Sequence, residues 1–197
     1  MRFLFLIIVI PFVVHSQNDT ILKHFNQEKN RLNKRGMVVL TSWAGLNLAA
    51  GACGYALSDN ETDKSFHVMN AAWGAINLGI ALPGLLSKQH SNQNLYSTQS
   101  EQTKTEKIFL ANAMLDVAYV AGGFYLREYG ANQSTEKRRQ QFTGYGNSVI
   151  LQGGGLLLFD AAMTFLNNRH RKKALDPFLQ KINLGVGPRS VSFRYRF

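Results

Sequence analysis

Four polar side chains stand alone inside long apolar runs of this chain: Asn47, Asn77, Asp116 and Asp160. Two carboxylic acids and two neutral amides set among hydrocarbon suit two kinds of chemistry. In the first, Asp116 and Asp160 take up a proton or a cation, and Asn47 and Asn77 serve as neutral oxygen ligands. An ionised Asp at the centre of a hydrocarbon layer costs at least roughly 2.5 kcal/mol, so such a group faces a protein interior and is a functional hypothesis by default. In the second, the four groups hydrogen-bond across helices with the Asp residues protonated. Each such bond is worth around 0.6 to 2 kcal/mol and fixes which faces meet. The second reading is favoured, because Asn among small residues is the ordinary signature of helix packing.

The two Asn residues belong to a repeat. Trp43-Ala44-Gly45-Leu46-Asn47-Leu48-Ala49 returns as Trp73-Gly74-Ala75-Ile76-Asn77-Leu78-Gly79, with small residues following at Gly51 and Gly54 in one copy and at Ala81 and Gly84 in the other. Spacings of four and three place Trp, Asn and the small residues on one helical face. Weaker echoes surround Asp116 and Asp160. Trp43 and Trp73 are therefore expected in the bundle core, each indole N–H bonded across helices. Gly45, Gly51, Gly54, Gly74, Gly79, Gly122, Gly123 and the run Gly153 to Gly155 are expected to let backbones approach closely. That run is no phosphate loop, since no Gly-Lys-Ser/Thr follows it.

The elements that must position these residues are four apolar blocks: Gly36 to Leu57, Phe66 to Leu86, Ile108 to Leu126 and Ser148 to Leu166. Each is long enough, or nearly so, to cross a hydrocarbon core of roughly 30 Å. Pro83-Gly84 should kink or loosen the last turn of the second block. The fourth ends on Asn167-Asn168-Arg169-His170-Arg171-Lys172-Lys173, the basic stop that a membrane helix places at headgroups. Between the blocks lie an acidic turn at Ser58 to Ser65, a flexible link at Ser87 to Lys107 and a connection at Arg127 to Asn147. The tail changes period: Val191 to Phe197 alternates apolar and polar, Lys181 to Val186 is weakly strand-like, and Gly187 to Ser190 is a turn. One hairpin cannot be a barrel. The expected fold is all-α: a four-helix transmembrane bundle over residues 36–173, built from a repeated helical pair, with a short β-hairpin in the basic tail 174–197.

Residues 1–16 combine Met1-Arg2, an apolar core from Phe3 to Val14 and a polar exit, the pattern of a secretory signal peptide or of a retained N-terminal anchor. Residues 17–35 form a basic surface segment, a short helix or arm. Lys and Arg number sixteen on the side carrying both ends and the middle link, against five on the other, which places both ends in the cytoplasm. A cleaved signal would place the mature N-terminus outside, so the two readings exclude each other within an inner membrane. The net charge of +10 sits in segments flanking apolar blocks and points to an anionic membrane surface rather than nucleic acid. The single cysteine, Cys53, offers no disulfide framework and reads as a small helix-packing residue. No His is paired at metal-ligand spacing, no nucleophile constellation is present, and neither a cofactor nor enzymatic activity is expected.

The run Arg31-Leu32-Asn33-Lys34-Arg35-Gly36-Met37 through Asn47, followed by Met69-Asn70-Ala71-Ala72-Trp73-Gly74-Ala75-Ile76-Asn77-Leu78-Gly79, resembles an uncharacterised family of predicted membrane proteins from Gram-negative bacteria. The resemblance covers roughly residues 20 to 170. It supports the four-helix reading, and the expected location is the cell envelope of a Gram-negative bacterium, the inner membrane favoured over the outer membrane or periplasm. It implies no activity. The expectation is a small polytopic protein in a lipid bilayer with a structural or partner-binding role, to a protein partner or in a homo-oligomer. The alternatives are a proton or cation transporter or channel using Asp116 and Asp160, and a soluble exported helical protein.

Overall fold

The computed structural model describes the backbone of residues 4–87, 94–187 and 190–195, and the side chains of residues 20–87 and 94–180. Four long helices account for most of it: α1 (Leu4–Leu57), α2 (Glu61–Leu86), α3 (Leu95–Ala131) and α4 (Glu136–His170). A π-helical turn (Arg171–Leu175) and a short α5 (Asp176–Lys181) follow, then strands β1 (Ile182–Gly187) and β2 (Ser190–Tyr195). The two strands pair antiparallel, from Ile182 opposite Tyr195 to Gly187 opposite Ser190. Where this hairpin packs concerns side chains outside the described residues, as does the character of residues 1–16.

The helices extend well beyond the apolar blocks. α1 runs unbroken through residues 17–35, expected as a separate helix or arm, into the first block. The link expected to be flexible over Ser87 to Lys107 is helical from Leu95, and only four residues separate α3 from α4 where a long connection was expected. Local chemistry sets these boundaries. Asn60 caps α2, its Oδ1 accepting the Asp63 N–H at 2.9 Å, while Glu61 and Asp63 place negative charge at the positive end of the helix dipole. The acidic turn is therefore largely the first turn of α2. α2 also carries Pro83 through to Leu86, and the Ser87 N–H donates to the Pro83 carbonyl at 2.9 Å.

The chain divides into two compact units. The first gathers Met1–Leu32, Gln89–Glu106 and Phe165–Phe197 around Leu22, Phe25, Leu175 and Phe178. Here Asn26 Nδ2 donates to Thr98 Oγ1 at 2.8 Å, Lys29 meets Glu101 at 2.9 Å, and the His170 ring stacks on Phe25 with centroids 4.5 Å apart. Arg171 bonds both Glu106 and Asp176 at 2.9 Å, holding the π-helical turn to α3.

The second unit, Asn33–Lys88 with Lys107–Thr164, contains most of the four apolar blocks. Its interior is unusually polar: Asn47, Asn70, Asn77, Asp116, Ser148, Gln152 and Asp160 are all buried, beside a small apolar cluster of Leu40, Ala81 and Leu156. Its exterior is apolar. Leu46 is 68% exposed, Met114 69% and Leu158 75%, each at the middle of its block. All four long helices are long and apolar enough to cross a membrane, by length and composition.

Glycine sets how closely the helices of this unit meet. A Cβ added at Gly51 would lie 2.6 Å from the Ala71 nitrogen and the His67 carbonyl, and one at Gly74 2.6 Å from the Leu48 nitrogen, so α1 and α2 touch backbone to backbone. α3 and α4 do the same, since a Cβ at Gly146 would sit 2.6 Å from the Gly123 carbonyl. Gly45, Gly79, Gly122 and Gly154, expected to serve the same purpose, have nothing within 4 Å. They lie on outward faces. Cys53 is also exposed rather than packed between helices.

Candidate functional site

The interior of the second unit holds two polar clusters with opposite properties. The first centres on Gln152 of α4. Its Nε2 donates to Asn47 Oδ1 at 2.6 Å and to Asn70 Oδ1 at 2.9 Å, while its Oε1 accepts from Trp43 Nε1 at 3.1 Å. Ser148 Oγ donates to the same Asn70 oxygen at 2.7 Å, and Asn47 Nδ2 donates to the Trp43 carbonyl at 2.8 Å. Both N–H groups and the oxygen of the Gln152 amide are thus engaged. A network saturated in this way locks α1, α2 and α4 in one register. The Trp43 ring covers Gly155, where an added Cβ would lie 2.8 Å from it, so the glycine three positions after Gln152 makes room for the indole that bonds Gln152.

The second cluster lines a cavity of about 260 Å³. α2 contributes Trp73 and Asn77, α3 contributes Phe109, Asn112, Asp116 and Tyr119, and α4 contributes Phe159 and Asp160. On α2 and α3 these positions recur at offsets of three, four and seven, and on α4 Leu156 stands three and four before Phe159 and Asp160, so each helix turns one face to the cavity. Asp116 and Asp160 lie close enough to interact, and Asp160 lies beside Asn112. Two carboxyl groups in such proximity are held together when a proton or a cation lies between them. The cluster is unsaturated: Asp116 Oδ2, Asp160 Oδ1 and Asn77 Nδ2 are buried with no protein donor or acceptor bonded to them. Aromatic rings close the walls, Trp73 meeting Tyr119 edge to face at 4.9 Å and Phe109 meeting Phe159 at 6.2 Å.

Close backbone approach puts the acids together. Asp116, Gly123 and Gly130 are spaced by seven on α3, as are Gly146, Gly153 and Asp160 on α4. A Cβ at Gly153 would lie 3.0 Å from the Asp116 carbonyl, so α4 packs against α3 two turns before Asp160.

Of the polar groups singled out in the sequence, Asn77, Asp116 and Asp160 share the cavity, whereas Asn47 belongs to the Gln152 network. Trp43 joins the network and Trp73 the cavity, both half-buried. Sequence reasoning passed over Gln152, Ser148 and Asn112 and gave Asn70 no partner. Among the described residues, no group of three or more His, Cys, Asp or Glu side chains is placed to hold a metal ion.

A family model described as a family of unknown function (DUF6992) matches residues 39–161, which include both clusters. No curated protein and no solved structure matches the chain.

Proposed function

Because the chain belongs to the family of unknown function DUF6992, its role has to be read from its own geometry, and we propose that it is a polytopic membrane protein, not an enzyme, that binds a proton or cation at the Asp116–Asp160 pair. The membrane part of this reading is supported by a unit with amides and acids inside and Leu46, Met114 and Leu158 outside, the distribution that hydrocarbon favours and water does not. The basic segment after Leu166 and the basic N-terminal stretch of α1 then lie at an anionic leaflet. The proposed location is the envelope of a Gram-negative bacterium, in the inner membrane. The single observation that carries the binding role is the contrast between the two clusters. Helix locking needs a saturated network, which Gln152 supplies; the carboxyl pair instead lines a cavity and keeps buried oxygens outside any such network. One charge shared by two carboxylates removes their mutual repulsion, and a proton or a bound cation serves equally.

A structural or partner-binding role is the second reading. It is favoured by the exposed apolar faces, on which a protein partner or another copy could pack by small-residue and apolar contacts within lipid.

Two experiments test the proposal. Carbonate washing followed by detergent extraction separates an embedded protein, released only by detergent, from a soluble exported one, released by either. In proteoliposomes, proton- or cation-driven dye signals should exceed those of protein-free vesicles and fall when Asp116→Asn and Asp160→Asn are combined. Wild-type signals no larger than those of protein-free vesicles leave only the structural reading.

A further inference from the structure

We propose that the cation fitting the Asp116–Asp160 cavity is a small primary ammonium ion bearing a hydrogen-bond acceptor, an amino alcohol in its simplest form. This rests on the cation-binding reading above and specifies its ligand. Size is the first consideration. A volume of about 260 Å³ far exceeds a proton or a bare metal ion and falls just below the roughly 300–1,000 Å³ of sites for drug-sized molecules. At about 30 Å³ per water, it has room for about nine water-sized groups, enough for a small organic ion together with some of its hydration water.

The lining chemistry narrows the class. The carboxyl groups of Asp116 and Asp160, the amides of Asn77 and Asn112, the Tyr119 hydroxyl and the Trp73 N–H make up less of this wall than hydrocarbon and aromatic ring, which a hard metal cation does not use. Trp73, Tyr119, Phe109 and Phe159 instead suit an organic cation, whose charge is attracted by ring faces.

The lining side chains set the donor pattern. The carboxyl groups of Asp116 and Asp160, on residues 3% and 5% exposed, line the cavity and match the N–H groups of an ammonium in charge-assisted hydrogen bonds. The Asn77 amide on the same wall carries N–H donors and calls for an acceptor on the same ligand, such as a hydroxyl. Binding replaces the shared proton by the ligand's positive charge, and no covalent step is involved.

The test uses calorimetric titration of the full chain in nanodiscs with three chloride salts: 2-hydroxyethylammonium, tetramethylammonium and sodium. The expected result is saturable binding of 2-hydroxyethylammonium, with tetramethylammonium, which has no N–H donors, and sodium both weaker by about tenfold or more. Asp116→Asn and Asp160→Asn, with far-ultraviolet dichroism to verify helicity, should each weaken the first ligand by a similar factor. Tyr119→Leu keeps both acids and should weaken it less. Absence of saturable 2-hydroxyethylammonium binding by the wild-type protein overturns the proposal, and so does sodium or tetramethylammonium binding as tightly. Dye signals that depend on the acids without ammonium binding would overturn the ligand assignment alone and leave proton or metal-ion handling in place.

Discussion

Gln152 of α4 donates to the Asn47 side-chain oxygen, Oδ1, at 2.6 Å and thereby joins a helix of the second half of the chain to the first copy of the sequence repeat. The bond is one of three made by that single amide. Gln152→Leu should therefore strand the Asn47 side-chain oxygen and the Trp43 indole N–H together and leave Asn70 with Ser148 alone. Steric denaturation in bicelles should register a loss of about 2 kcal/mol, the scale of several interhelical bonds at around 0.6 kcal/mol each with some unsatisfied burial added. Pairing Gln152→Leu with Asn47→Ala should give less than the sum of the two single effects, because the residues share one interaction.

Glycines of this chain differ sharply in what a side chain would meet. Gly74→Val and Gly146→Val should each drive a methyl into a neighbouring backbone and cost about 1–3 kcal/mol or more, whereas Gly79→Val and Gly45→Val should leave folding intact. Detergent-solution melting temperature, read as the loss of monodisperse protein on size exclusion, orders the four variants. Equal effects at all four positions would contradict the helix seams described.

That difference also marks how far the architecture was legible beforehand. The Trp and Asn offsets placed Asn47, Asn77 and the two Trp residues on inward faces, because a helical period survives in sequence. Asp116 and Asp160 stood out because an acid in an apolar block has few places to go. Glycine carries a weaker sign: Gly51 follows Asn47 at helical spacing and meets α2, whereas Gly45, off that spacing but expected to serve the same purpose, has nothing within 4 Å. Gln152 was hidden because it opens a glycine run and has no copy elsewhere. The helix over 95–107 was missed for a related reason. Its inward face is built from Thr98 and Gln102, both fully buried, so an apolar stripe was the wrong sign to seek there.

Unit one offers a test independent of any bilayer. Lys29 has a side chain 4% exposed and meets Glu101 at 2.9 Å, while Glu101 is 44% exposed. Removing the acid leaves a buried ammonium without its counter-charge, so Glu101→Gln should destabilise by about 2 kcal/mol, and Lys29→Met, which removes the charge itself, by less. Thermal unfolding of the two variants decides the order. The reverse order would place Lys29 in water.

The most direct measurement is footprinting with a lipid-phase carbene reagent on the reconstituted protein, read residue by residue by mass spectrometry. Labels are expected on the outward-facing Leu46, Met114 and Leu158 and absent from Asn77, Asp116, Gln152 and Asp160. Labelling of the acids and amides, or none at the three apolar residues while the protein stays folded, would contradict a bundle that turns its polar groups inward within lipid.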